Sequence, residues 1–162
     1  MSSSVSFRKA KPGDGALVLS FIRALAEYEK MLDVVSATAD GLEQQLFELH
    51  SAEVFFALEN GIEVGFALFF YNFSTFLGLP GLYIEDIFVL PEFRRRGIGK
   101  AIFTELARIA LQRGCGRLEW SCLDWNTPSI AFYKSLGAIP MDEWTVYRVT
   151  GDALTKLGTE RD

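Results

Sequence analysis

Leu82-Tyr83-Ile84-Glu85-Asp86-Ile87-Phe88-Val89-Leu90, stopped by Pro91 and followed at Arg94-Arg95-Arg96-Gly97-Ile98-Gly99 by a glycine-bearing turn, is the stretch on which the fold depends. Its first part is apolar but for one acidic pair, the pattern of a strand buried inside a sheet. Proline, which has no N–H to give a ladder, ends it. Its second part opens a helix, Gly97 to Arg113, with an apolar stripe of Ile98, Ala101, Ile102, Leu106 and Ile109. Glycines between a strand and a helix let successive backbone N–H groups turn into one hollow, where the positive end of the helix dipole adds to them. Arg94 to Gly99 is therefore expected to hold an anion of pyrophosphate size, with arginines at the mouth. The Walker pattern GxxxxGK is absent, and the dinucleotide pattern GxGxxG fails at Ile102.

Upstream of this stretch, Val5 to Lys9 reads as a strand, and Pro12-Gly13-Asp14 breaks it and caps a helix carrying Leu17, Phe21, Ile22, Leu25 and Tyr28 at helical spacing. A second helix is predicted from Thr38 to Leu49. Val54 to Leu58 and Ile62 to Phe70 flank Asn60-Gly61, the strongest two-residue hairpin signal. Asn72 to Gly81 reads as a connection. Downstream, Arg117 to Leu123 forms a strand, Asn126 or Thr127 caps a helix with Pro128 in its first turn, and Gly137 ends it. Glu143 to Thr150, with Trp144, Val146, Tyr147 and Val149, reads as a last strand that closes the sheet or meets a partner subunit.

With 162 residues, 49% hydrophobic, the chain is expected to be a single domain, residues 1–162, that buries its core without disulfides or metal. Cys115 and Cys122 form no CxxC pair and His50 is the one histidine, so no metal site is predicted. Met1-Ser2-Ser3-Ser4 has neither a basic nor an apolar leader pattern, and no run approaches the roughly 20 apolar residues that span a bilayer, so a cytoplasmic location without membrane contact is expected. The net charge of −5 argues against a nucleic-acid partner and suits a cationic substrate.

Arg94, Gly97 and Gly99 after a central strand, together with Asn126, Ser129 and Tyr133 further on, resemble the two spaced signatures of the Gcn5-related N-acetyltransferase (GNAT) superfamily. Leu25-Ala26-Glu27-Tyr28-Glu29, Tyr83-Ile84-Glu85-Asp86 and Asp124-Trp125-Asn126 are most similar to diamine and thialysine acetyltransferases, including plant ornithine-type enzymes. The resemblance implies an α/β fold: a mixed, mostly antiparallel sheet of six to seven strands, splayed at the CoA site, with helices on both faces. It also implies acetyl-CoA as cosubstrate, a small-molecule amine as acceptor, and a homodimer.

Residue by residue, the resemblance gives acetyl-CoA to Ile87, Phe88 and Val89, to Arg94, Arg95, Arg96, Gly97, Ile98, Gly99 and Lys100, and to Asn126, Ser129 and Tyr133. Tyr28, Glu29, Glu85 and Asp86 fall to the amine. A free alkylamine has a pKa of about 10.4, so deprotonating it at pH 7 costs about 4.6 kcal/mol, and Glu85 is the candidate proton acceptor. Tyr133 is implied as the phenol that protonates the departing thiolate. Asn126 and Ser129 equally suit plain helix capping. From Asn72 to Gly81 there is no carboxylate, unlike the animal spermidine/spermine enzymes, so a short diamine or a diamino acid is expected rather than a long polyamine. A protein-lysine or aminated-antibiotic acetyltransferase, and an acyl-CoA-binding module without turnover, remain as alternatives.

Overall fold

The computed structural model describes residues 4–160; Met1-Ser2-Ser3, read above for a leader, lies outside them. The described chain divides into two compact units at Ser121/Cys122.

The first unit holds a five-stranded sheet in the order β1-β2-β3-β4-β5: β1 (Val5–Lys9), β2 (Glu53–Glu59), β3 (Ile62–Ser74), β4 (Leu79–Val89) and β5 (Leu118–Trp120). The first four are antiparallel neighbours; β5 joins β4 in parallel. Asn60 (φ 52°) and Gly61 (φ 78°) make the β2–β3 turn with both residues left-handed, the geometry whose twist matches a hairpin. The stretch from Asn72 to Gly81, read as a connection, instead carries the end of β3 and the start of β4, with Gly78 (φ 67°) in the turn. Pro80 pairs with Phe73 near the turn end of this hairpin.

Aromatic side chains fill both faces. Phe21 of α1 (Gly15–Tyr28) stacks on Phe66 at 5.2 Å and leans on Phe56, and all three are buried. On the opposite face, Ile102 of α3 (Ile98–Gln112) lies over Gly65, where a Cβ would meet the Phe88 carbonyl at 3.0 Å and Ile102 Cδ1 at 3.2 Å. Glycine at 65 thus sets how closely α3 approaches the sheet.

Asp14 does not cap α1 as expected. Its carboxylate accepts from the Lys11 N–H at 2.8 Å and pairs with Arg8, which holds it below its usual pKa. The cap comes instead from Glu43 of α2 (Ala39–Glu43), whose carboxylate accepts from the Gly15 N–H at 2.6 Å and the Gly13 N–H at 3.0 Å. Thr38 caps α2 through the Gly41 N–H, and the helix continues as a π-turn over Gln44–Glu48.

The second unit contains α4 (Thr127–Ser135) and α5 (Gly151–Thr159). The predicted strand at Glu143 to Thr150 is not one: five strands, not six or seven, form the sheet among the described residues. Trp144, Val146 and Tyr147 are exposed there. Aromatic and β-branched residues mark a surface suited to a pleated neighbour, and their propensity does not by itself supply one. Among the described residues no helix is long and apolar enough to cross a membrane.

Candidate active site

In β4 the regular alternation fails where the acidic pair sits. Leu68 of β3 pairs with Asp86 and the next residue, Phe69, pairs with Ile84, so Glu85 is the extra residue of a β-bulge. Two adjacent carboxylates on a flat strand would point to opposite faces; a bulge re-aims them. Glu85 is exposed and Asp86 half-buried, on the α1 face with Leu68 and Phe88.

Burial pushes the Asp86 carboxyl up to about 6, and the negative charges of Glu85 and then Glu29 add to the shift. Glu29, half-buried just past the end of α1, is itself raised by burial. A carboxylate at a helix C-terminus opposes the dipole, so its position there is not explained by helix stability. Asp86, with the negative charges of Glu85 and Glu29 near it, is a place where a cation would be favoured, and its arrival would favour the charged form of Asp86.

The same strand loses its other neighbour at this point. The β4–β5 ladder runs Leu82↔Leu118, Tyr83↔Glu119 and Ile84↔Trp120, whereas β3 accompanies β4 to Val89. β5 ends at Trp120, so from Glu85 onward β4 runs beyond the β5 ladder with β3 as its partner. Ile87, Phe88 and Val89 lie in this part of β4.

The loop beyond β4 is held by its arginines. Arg94 donates from Nε to the Val89 carbonyl at 3.1 Å, and its guanidinium lies over the rings of Tyr28 (4.8 Å) and Phe88 (5.0 Å). Arg96 donates to Glu59 at 2.9 Å, an acidic residue to which sequence reasoning gave no role. Nothing in the sequence signals Glu59, which there is only the polar end of a hairpin strand. Arg95 (φ 63°) and Gly97 (φ 79°) are left-handed, and Gly97 begins α3 without a side-chain cap. The first helical bond inside α3 is from Ala101 N–H to Gly97 O, so the amides of Ile98, Gly99 and Lys100 have no acceptor within the helix. Amides so placed suit an anion, which is what the sequence leads one to expect of this loop.

In the second unit, Asn126 is buried and its side chain accepts from the Ser129 N–H at 3.4 Å, so the capping role foreseen for it is present. Tyr133 is half-buried on α4, its ring 5.9 Å from that of Phe132. Gly137 (φ 90°) ends the helix as expected.

Comparison with known proteins places the chain among described families and folds. The family described as "Acetyltransferase (GNAT) family" matches residues 21–138. A thialysine N-epsilon-acetyltransferase of Sus scrofa is 38% identical over 167 residues, covering 96% of this chain and 98% of that protein. L-ornithine N5-acetyltransferase NATA1 of Arabidopsis thaliana is 46% identical over 100 residues, 62% of this chain and 44% of its own length. Among solved structures, an integron cassette protein from the mobile metagenome of V. cholerae matches with a TM-score of 0.81 and 31% identity, covering 99% of each chain.

Proposed function

The chain belongs to the acetyltransferase (GNAT) family, and from that premise we propose that it transfers the acetyl group of acetyl-CoA to a primary amine of a small diamine or diamino acid, by direct attack within a ternary complex. The observation that carries this reading is the proximity of Glu29, just past α1, to Glu85 and Asp86 on β4 beyond its pairing with β5, with Arg94 of the following loop stacked on Tyr28 at the end of α1. Asp86 and Glu29 hold the ammonium, with Tyr28 beside them. Glu85, exposed at the bulge, takes the proton directly or through water. The amides of Gly97 to Lys100 receive the pyrophosphate, Asn126 and Ser129 touch CoA, and a β4 amide between Ile87 and Val89 stabilises the oxyanion. Tyr133 protonates the departing thiolate. The working form is one domain per chain, paired as a homodimer in the cytoplasm.

Thiol release from acetyl-CoA, measured with putrescine, 1,3-diaminopropane, ornithine, lysine, thialysine, spermidine and a lysine peptide in turn, tests the reaction. Turnover is expected on one of the short amines and much less on spermidine. If only the peptide reacts, the small-amine reading fails; if CoA binds and nothing reacts, the enzyme reading fails with it.

Asp86 gives the reaction a pH signature. With its carboxyl raised from 3.8 to about 6, the free enzyme gains the charged form as pH rises through that value. The kcat/KM for the amine is expected to climb through a limb near pH 6 that Asp86→Asn abolishes, with KM for the amine up by about tenfold. Stability runs the other way: the folded chain binds the proton more tightly than the unfolded one, so this group's contribution is best below about pH 4 and is lost as pH rises to about 6. A limb unchanged in Asp86→Asn would remove the carboxylate from the amine site.

A further inference from the structure

Glu59 closes β2 just before the Asn60-Gly61 turn with 4% of its side chain exposed, and its carboxylate accepts from Arg96 at 2.9 Å. Arg96 lies 37 positions further along the chain, half in solvent, its guanidinium 5.3 Å from the Phe93 ring. A carboxylate buried to this degree persists where a cation and good hydrogen bonds offset its lost hydration. The sheet therefore presents Glu59 as a fixed point to which the loop is tied.

The loop needs such a tie. Arg95 carries a Cβ yet is left-handed (φ 63°), and Gly97 two residues on is left-handed too (φ 79°). Strained backbone of this kind is kept only where its surroundings over-determine it. Arg94 is fixed on one side of Arg95, by the Val89 carbonyl and the Tyr28 and Phe88 rings, and Arg96 on the other, by Glu59 and Phe93. Left-handed residues alternating in this way curl successive amides into one concavity.

We propose that Glu59 is a positioning residue for acetyl-CoA: by holding Arg96 it keeps the loop in the shape that presents the amides of Gly97 to Lys100 to the pyrophosphate. Arg96 then acts through Glu59 and not as a phosphate ligand. The inference rests on the reading of this loop as the acetyl-CoA site.

The test is CoA binding by calorimetry, with kcat and KM for acetyl-CoA, on the native chain and on Glu59→Gln, Glu59→Asp, Arg96→Met and the Glu59→Gln/Arg96→Met pair. Each of Glu59→Gln and Arg96→Met is expected to weaken CoA binding and raise KM by about tenfold, and the pair to be no weaker than either alone. Turnover at saturation stays within about twofold, the split expected when binding alone is affected. Glu59→Asp keeps the charge and the fold but is one methylene short of Arg96, and weakens CoA by about threefold, so the test survives should Glu59→Gln not fold. CoA binding that is unchanged or tighter in the Glu59 variants, with Arg96→Met weakened, overturns the tether and makes Arg96 a phosphate ligand with which Glu59 competes. Losses that multiply in the pair overturn it as well. A native chain that does not bind CoA sinks the acetyl-CoA reading itself, a result distinct from a native chain that binds while its variants match it.

Discussion

Tyr133→Phe is expected to lower kcat by about 10²- to 10⁴-fold while leaving acetyl-CoA affinity within about twofold, because a positioned proton donor contributes on that scale only in the transition state. The substitution removes one oxygen and keeps the ring that faces Phe132 on α4, so the helix itself loses no packing. The leaving thiolate gains most from a donor that is still protonated at neutral pH, and a phenol with a reference pKa near 10 is one. Rapid-quench measurement of acetyl transfer separates this step from product release. A variant that transfers acetyl at the native rate would take the acid role away from Tyr133.

The second large effect concerns stability. Phe66→Ala is expected to destabilise the fold by about 3–5 kcal/mol, since it empties a fully buried site and the cavity is lined by rings that relax only in part. Phe66 stacks on Phe21 with planes 26° apart, and Phe21 in turn meets Phe56, so one deletion loosens α1 from the sheet. Chemical denaturation followed by far-UV dichroism measures it. A loss below about 1 kcal/mol would mean that α1 is not anchored through these rings. Glu29 and Tyr28, proposed to meet the amine, would lose their support together with the fold, because they stand at the end of the helix that Phe21 fixes.

Much of the fold could be read from residue order because its signals are local. Asn60-Gly61 dictates its own turn, Gly97 and Gly137 sit where only a left-handed residue fits, and Phe21, Ile22 and Leu25 recur at helical spacing. What could not be read depends on partners distant in sequence. The true cap of α1 is Glu43, 28 residues from the Gly15 amide it accepts from. The bulge at Glu85 is a relation between two strands, and nothing in either strand alone announces it. Glu143 to Thr150 has the composition of a strand, but a strand exists only with a neighbour. The same holds for the site: the glycine loop and the acidic pair are visible as motifs, whereas the Glu59–Arg96 pair comes from folding alone. Asn126 was legible as a cap, and the cap is what the structure displays.

The strand order also bears on how the molecule assembles in time. β1 to β4 pair in order of sequence proximity from β2 onward, through connections as short as two residues, and such pairings close quickly because little chain entropy is lost. β5 joins only after the chain has passed through the whole of α3, as parallel pairing requires. The bulge that presents Glu85 and Asp86 belongs to the rapid part of this sequence. The parallel pairing of β5 belongs to the slow part, so a nascent chain would possess its acidic pair before β4 acquired its second neighbour.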